Sequence, residues 1–377
     1  MFNSHFKINT SCLFVLAATT ALLTCGQAHA GINFSDFSST AGLQLNGNAA
    51  QAGNALRIVP ASSSQAGSAF TNSTLNISVF STSFKFQITD SGGASDGSGL
   101  GADGITFTIQ GNGPGSIGGG GGGLGYSGML NSVAVEFDTW NNGPSDDDDS
   151  NHAGIDTDGD LDSVETVSIP GQFNDGNVWH AWIEYNGTTL EVRTNSTGAY
   201  PAIPDLSIAI DIADLVGSTN AFVGFTGGTG AAFGHHDLLC WNFNCPPDCS
   251  TAAPSVATIW PPNHKFVPIT ITGVTDPDGD SVTITIDSIF QDEPVDAKGS
   301  GNTAPDGKGV GTDTAEVRAE RSGSKKVPGN GRVYHIGFTA DDGNGGTCSS
   351  TVTVCVPHDQ SGTDCVDDGL LYDSTAL

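Results

Sequence analysis

The sequence predicts an all-β protein built from antiparallel β-sandwiches, and three observations carry that prediction. Apolar residues alternate with period two in short runs, as in Phe80-Ser-Thr-Ser-Phe84-Lys-Phe86-Gln-Ile88 and Ile105-Thr-Phe107-Thr-Ile109. Turn residues separate the runs, with Asn186-Gly187 joining two of them between Trp179 and Arg193 as in a β-hairpin. The chain holds 52 glycines and only 12 lysines plus arginines among 377 residues, a composition that disfavours long helices.

The first thirty residues read as a processing segment rather than as part of the fold. Lys7 lies in a short leading region, Cys12 to Leu23 is apolar, and Ala28-His29-Ala30 has the form of a cleavage site. A lipid-anchored reading through Cys25 is disfavoured by Thr24 before it. The mature chain is expected to begin near Gly31 and to be exported, to the extracellular space or the cell surface, with no membrane span.

From Ile32 to about Asn244 the strand signals suggest two packed antiparallel sheets, closing with Ala221–Phe225 and Leu238–Phe243. Only Ile208 to Val216 looks helical. Cys245-Pro246-Pro247-Asp248-Cys249 breaks the pattern and marks a boundary, so residues 31–245 form one expected domain and 246–357 a second, with 358–377 an extended tail. In the second, Val267–Val274, Ser281–Ile289, Val333–Ala340 and Thr347–Val356 are strand candidates, and the charged, Gly-rich stretch from Asp296 to Asn330 reads as a long loop. TDPDGDSVTITI and GRVYHIGFTADDGNGG resemble bacterial immunoglobulin-like or cadherin-like modules, which implies a smaller immunoglobulin-like β-sandwich.

Six cysteines follow residue 30, all in the last third of the chain: Cys240, Cys245, Cys249, Cys348, Cys355 and Cys365. An even number in an exported protein favours disulfides. The pairing stays open, except that a straight strand would hold Cys348 and Cys355 too far apart to bond. Zinc is the competing reading of Cys245-Pro-Pro-Asp-Cys249, and no histidine–cysteine set accompanies it. The formal charge of −29 argues against nucleic acid or an anionic membrane surface as partner.

The segment EFDTWNNGPSDDDDSNHAGID, Glu136 to Asp156, carries the chemistry. Glu136 and Asp138 alternate with Val135 and Phe137, so both carboxylates leave one face of a strand. A polar loop with Asn142, four aspartates and His152 follows. Oxygen donors suit Ca²⁺, and an imidazole added to carboxylates suits a first-row metal such as Mn²⁺. The spacing resembles the metal loop of the legume (L-type) lectins. Counted from Asp138, that pattern takes Glu at −2, an aromatic at +2, Asn at +4, Asp at +9 and His at +14, here Glu136, Trp140, Asn142, Asp147 and His152. HAGID likewise resembles the family's HIGID.

The resemblance covers roughly residues 32–244 and implies a concanavalin-like jelly roll, a non-catalytic lectin with Ca²⁺ and Mn²⁺ as cofactors, and glycans or glycoconjugates as partners. It places Glu136, Asp138, Asp147 and His152 on the transition metal, and Asp138, Trp140, Asn142 and Asp147 on Ca²⁺. Ala102-Asp103-Gly104 resembles the family's ADG motif, whose aspartate binds sugar hydroxyls and follows a cis peptide. Gly118 to Gly123 before Leu124-Gly125 resembles the loop whose glycine amide meets the sugar, a role that falls on Gly122. Asn142 and Trp140 are also implied sugar contacts. GFTGGTGAAFGHHDLLCWNF resembles the fourth, specificity loop, with backbone contacts from Ala231 and Ala232 and the short length of mannose/glucose-binding members. The chain departs from the family after His152, where GIDTDGDLDSVE is several residues longer than usual. Its Asp156, Asp158, Asp160 and Asp162 alternate as a further Ca²⁺ loop or as a solvated turn, and Asp276, Asp278 and Asp280 pose the same choice.

Two rival functions remain. Glycoside hydrolases on the same sandwich also place E-x-D on a strand, but they carry a further Glu shortly afterwards, where this chain has Trp140 and Asn141. A structural or adhesive surface protein with a vestigial lectin domain is the other.

Overall fold

The computed structural model describes residues 31–96, 99–143, 147–277, 279–296, 300–301, 303–323, 329–343, 346–359 and 365–376. The expected processing segment, residues 1–30, lies outside them, as does Asp278. The described chain falls into two compact units, one ending at Cys245 and the next beginning at Pro246.

The first unit is all-β, with two eight-stranded antiparallel sheets. One sheet orders Leu206–Ala209, Thr189–Asn195, Val178–Tyr185, Phe80–Gly93, Ala232–Asn244, Ala55–Val59 and Ala50–Ala52, with Ile32–Phe34 also on the Ala232–Asn244 strand. The other orders Glu165–Ser168, His152–Thr157, Ser132–Asp138, Gly104–Gln110, Asn220–Thr229, Gln65–Thr71 and Leu43–Gly47, with Leu75–Asn76 off its path. Alternation decides which side chains face inward. Phe84 meets Phe225 and Phe137 of the opposite sheet at ring-centroid distances of 4.9 and 5.7 Å, and Trp241 meets Phe225 at 4.9 Å. Edge-on aromatic contacts of this kind fill the space between the sheets. They leave Glu136 and Asp138, one register step from Phe137, on the outer face.

The Asn186-Gly187 hairpin forms as expected, pairing Tyr185 with Leu190. The closing strands, Asn220–Thr229 and Ala232–Asn244, belong to opposite sheets. One expectation shifts. The helical stretch splits, because Leu206 and Ile208 alternate as an edge strand opposite Val192 and Leu190. Only Ile212–Val216 is helical, with the Asp211 carboxylate accepting the Asp214 N–H as a cap.

The second unit has two four-stranded sheets sharing an apolar core that includes Ile269, Ile286, Val317, Ile336 and Val354. The long loop expected from Asp296 to Asn330 contains strands at Gly307–Lys308 and Thr314–Arg318. Glycine and charge mask the alternation there, yet Ala315 and Val317 are fully buried against the core. Within the expected tail, Tyr372–Asp373 forms a short strand that pairs with Phe290 and Gln291. Two disulfides, Cys249–Cys348 and Cys355–Cys365, occur among the described residues, so Cys249 is engaged in a bridge rather than in a zinc site. No described helix is long and apolar enough to cross a membrane.

Candidate functional site

Three neighbouring strands of the second sheet carry the predicted site to one end of the sandwich. Gly104 and His152 both stand opposite Asp138, so the ends of Gly104–Gln110, Ser132–Asp138 and His152–Thr157 meet there. Glu136 and His152 are fully buried, and His152 Nε2 lies 3.0 Å from Glu136 Oε1 and 3.3 Å from Asp147 Oδ2. One donor atom from each of these three residues lies within 4.8 Å of the others. Asp138, also fully buried, accepts the Trp140 N–H at 2.6 Å through Oδ1.

The electrostatics favour a cation at this place. Among the described residues, no lysine or arginine forms an ion pair with Glu136, Asp147 or Asp156. Glu136 Oε2 is buried without a hydrogen-bond partner. Buried anionic oxygens are costly unless a cation neutralises them. Two carboxylates and an imidazole form a donor set that a divalent first-row metal accepts. Ca²⁺ takes oxygen ligands, and Asp138, Asn142, Asp147 and the Trp140 carbonyl carry oxygens of that type.

Asp156 belongs to this cluster rather than to a separate loop. Ser163 Oγ lies 2.9 Å from Glu136 Oε1 and 2.8 Å from Asp156 Oδ1. A hydroxyl has one proton to donate, so Ser163 can donate to only one of these two carboxyls at a time. Burial, and after it the charge of Glu136, push the Asp156 carboxyl well above the usual carboxylate range. Asp158 turns away to accept the Asn131 N–H at 2.8 Å. Asp156, Asp158, Asp160 and Asp162 therefore do not gather: no three of them bring donor atoms within 4.8 Å of one another. In the second unit, Asp276 Oδ1 accepts the Asp280 N–H at 3.1 Å.

Beside the metal cluster, the Ala102–Asp103 peptide is cis. The Asp103 N–H donates to the Gly228 carbonyl at 3.0 Å, while its own carbonyl accepts the Thr139 N–H at 2.8 Å and the Thr139 hydroxyl at 3.0 Å. Asp103 is thus held between the fourth loop and the strand that carries Glu136 and Asp138. The six-glycine run is an ordered turn, with Gly118 N–H on the Gly125 carbonyl at 2.6 Å and Gly125 N–H on the Gly119 carbonyl at 2.7 Å. It brings Gly122 against Asn142: a β-carbon at Gly122 would fall 2.4 Å from Asn142 Nδ2. One at Gly230 would fall 3.2 Å from Asp103 Oδ2. Asp103, the glycine turn, Asn142 and Gly230 therefore lie close together, with Asp103 buried.

The remaining predicted residues take different positions. Trp140 is half-buried, Ala231 is exposed, and Ala232 begins a strand with its side chain buried. Thr139, Ser163 and Gly230 escaped the sequence reading. Thr139 sits between two predicted ligands, but nothing in its own type announces its bond to Asp103. His236 is fully buried against the backbone of Ala102 and Gly104, and desolvation holds its pKa down at about 3. Its neighbour His235 accepts the Ala61 N–H at 2.7 Å through Nδ1.

Comparison with known proteins gives the same family. The curated relatives include the L-type lectin-domain containing receptor kinase VIII.1 of Arabidopsis thaliana, 37% identical over 175 residues, which are 44% of this chain and 23% of that protein. Receptor kinase VII.1 of the same plant is 35% identical over 121 residues, 29% of this chain and 18% of that protein. The chain therefore spans roughly a fifth of the length of these two relatives. The metal-free form of lectin I-B4 from Griffonia simplicifolia shares the fold, with a TM-score of 0.50 and 22% identity over 57% of this chain and 99% of that one. The profile of the Legume lectin domain matches residues 30–256. On this match, across more than half its length, the chain belongs to the legume lectin domain family.

Proposed function

We propose that the protein is an exported, Ca²⁺- and Mn²⁺-dependent lectin that binds glycans of the mannose/glucose class and catalyses no reaction on them. Membership of the family implies carbohydrate binding. The observation that carries the finer reading is the convergence of Asp103, the Gly121–Gly123 turn and Asn142 beside the buried Glu136–Asp147–His152 group. Glu136, Asp138, Asp147 and His152 would hold the transition metal, and Asp138, Asn142, Asp147 and the Trp140 carbonyl the Ca²⁺. The cations supply fixed positive charge that neutralises the carboxylates and sets the loop.

The chain's own groups then do the recognition. The Asp103 carboxylate accepts hydrogen bonds from sugar hydroxyls, and the Gly122 amide donates one. The Asn142 side chain offers its oxygen to Ca²⁺ and its NH₂ to the sugar. Trp140 presents an indole face to the apolar face of a pyranose. Ala231 and Ala232 contribute backbone groups, which leaves specificity to loop shape rather than to a polar side chain.

The described disulfides support export to an oxidising compartment. The second unit, with its own core and both of those bridges, suits an immunoglobulin-like spacer or docking module, so that the whole chain would act in adhesion through sugar.

A glycan array probed with the protein in Ca²⁺ and Mn²⁺, and again after chelation, tests the proposal. Multivalent display makes weak single-site binding visible there. Chelator-sensitive binding to mannose- or glucose-containing glycans is expected. Metal-loaded protein that binds no glycan would overturn the lectin reading and leave an adhesive or structural module.

A further inference from the structure

Residues 157–163, within the run after His152 that is several residues longer than the family's usual sequence, have a definite place in the fold. Gly159 stands against the segment that leaves the glycine turn. Its carbonyl accepts the Gly128 N–H at 2.8 Å, and its own N–H donates to Tyr126 Oη at 3.1 Å. The neighbouring Asp158 adds two anchors, donating its N–H to the Ser132 carbonyl at 2.9 Å and accepting the Asn131 N–H at 2.8 Å. Only glycine fits at position 159: its φ is +75°, and a β-carbon would fall 2.2 Å from Met129 N and 2.6 Å from Gly128 N.

Tyr126 connects this strap to the turn. The side chain is fully buried, and its Oη lies 2.9 Å from Ser132 Oγ. The residue itself follows the turn directly, with the N–H groups of Tyr126 and Ser127 both on the Gly123 carbonyl at 2.8 Å. The next link is Thr226, whose hydroxyl donates to the Leu124 carbonyl at 2.7 Å. A run of glycines has little side-chain packing of its own and must be fixed from outside. The Tyr126 hydroxyl is a polar group placed in a buried cluster with Phe70, Met129 and Ala134, where the hydrogen bond it accepts from the strap has no competition from water.

We propose that Gly159 and Tyr126 are positioning residues for the sugar, holding the Gly121–Gly123 turn at the place where Gly122 meets a glycan. This rests on the lectin reading of the same site. Neither residue touches sugar or metal; both act through the turn.

The test compares wild type with Tyr126→Phe and Gly159→Ala on the same glycan array, with Ca²⁺ and Mn²⁺ content measured in each and hydrogen exchange followed by mass spectrometry. Tyr126→Phe removes one hydroxyl and keeps the ring. It is expected to weaken apparent affinity roughly threefold to tenfold, as losing a buried hydrogen bond does, with metal content unchanged. Faster exchange should be confined to peptides covering residues 118–128 and to the Gly159 amide, which loses its acceptor. Gly159→Ala should do the same more strongly, and Tyr126→Phe keeps the test decisive if that variant fails to fold. Wild type binding glycan while Tyr126→Phe binds equally well, or exchange rising across the whole sandwich, overturns the positioning role alone. Wild type that binds no glycan overturns the lectin reading and this proposal with it.

Discussion

The Thr139 amide and hydroxyl both donate to the carbonyl of Asp103, at 2.8 and 3.0 Å, across 36 residues of sequence. Thr139 lies between Asp138 and Trp140, so the strand that carries the proposed metal ligands also holds the backbone of Asp103, the aspartate proposed to meet sugar. Thr139→Val keeps the shape and the amide bond and removes the hydroxyl. The expected result is a loss of roughly 0.5–1.5 kcal/mol in sugar binding, about twofold to twelvefold in Kd, by isothermal titration calorimetry. An unchanged Kd would mean that the amide bond alone fixes Asp103.

Asp103→Ala separates recognition from metal. Its side chain has no place in the proposed ligand sets, so sugar binding should vanish while Ca²⁺ and Mn²⁺ remain, read by elemental analysis of the dialysed protein. Loss of both would make Asp103 structural.

His152→Ala acts on the opposite partner. It removes the one imidazole from the cluster with Glu136 and Asp147 and should empty the transition-metal site before the Ca²⁺ site. Disturbing groups that merely support a ligand lowers metal affinity about 10–100-fold, so deleting a ligand should cost more. Unchanged metal stoichiometry in competition with a chelator would take His152 out of the set.

His236 gives a pH dependence with a definite sign. Its folded pKa of about 3 lies below the ordinary 6.5 of an unfolded chain. Between those values the unfolded chain holds a proton that the fold excludes, so stability is full above pH 6.5 and falls as pH drops. The slope contributed by one such group is about 1.4 kcal/mol per pH unit. His180, held down to about 4 by burial and Lys85, acts in the same direction. Urea unfolding of wild type and His236→Gln at pH 7, 6 and 5, with cations in excess, should show a shallower decline in the variant. Parallel curves would show that His236 takes up its proton without leaving the fold.

The gathering of Glu136, Asp147 and His152 was legible in the sequence because these residues lie on one strand, the loop after it and the start of the next strand. Local spacing then fixes which carboxylates share a face, and the sandwich follows from period-two alternation. What escaped depends on partners far away in sequence. Thr139 owes its role to Asp103, Gly230 to its approach to the Asp103 side chain, and Ser163 to Glu136 and Asp156. Composition misled in two places. Glycine and charge around Thr314–Arg318 hid a strand whose Ala315 and Val317 complete the second core. The four alternating aspartates after Ile155 looked like one loop, yet a strand end buries Asp156 while the turn carries Asp158 outward to Asn131.

The bridge from Cys249 to Cys348 spans a sequence separation of 99 residues, and Cys355 to Cys365 a further 10. Tension applied along the chain would pass from Cys249 straight through sulfur to Cys348, leaving most of the second unit's strands outside the stressed path. Were the chain held beyond Cys365, the second unit would act under load as a short, nearly inextensible link, until a reductant opened the bridges and released the stored length.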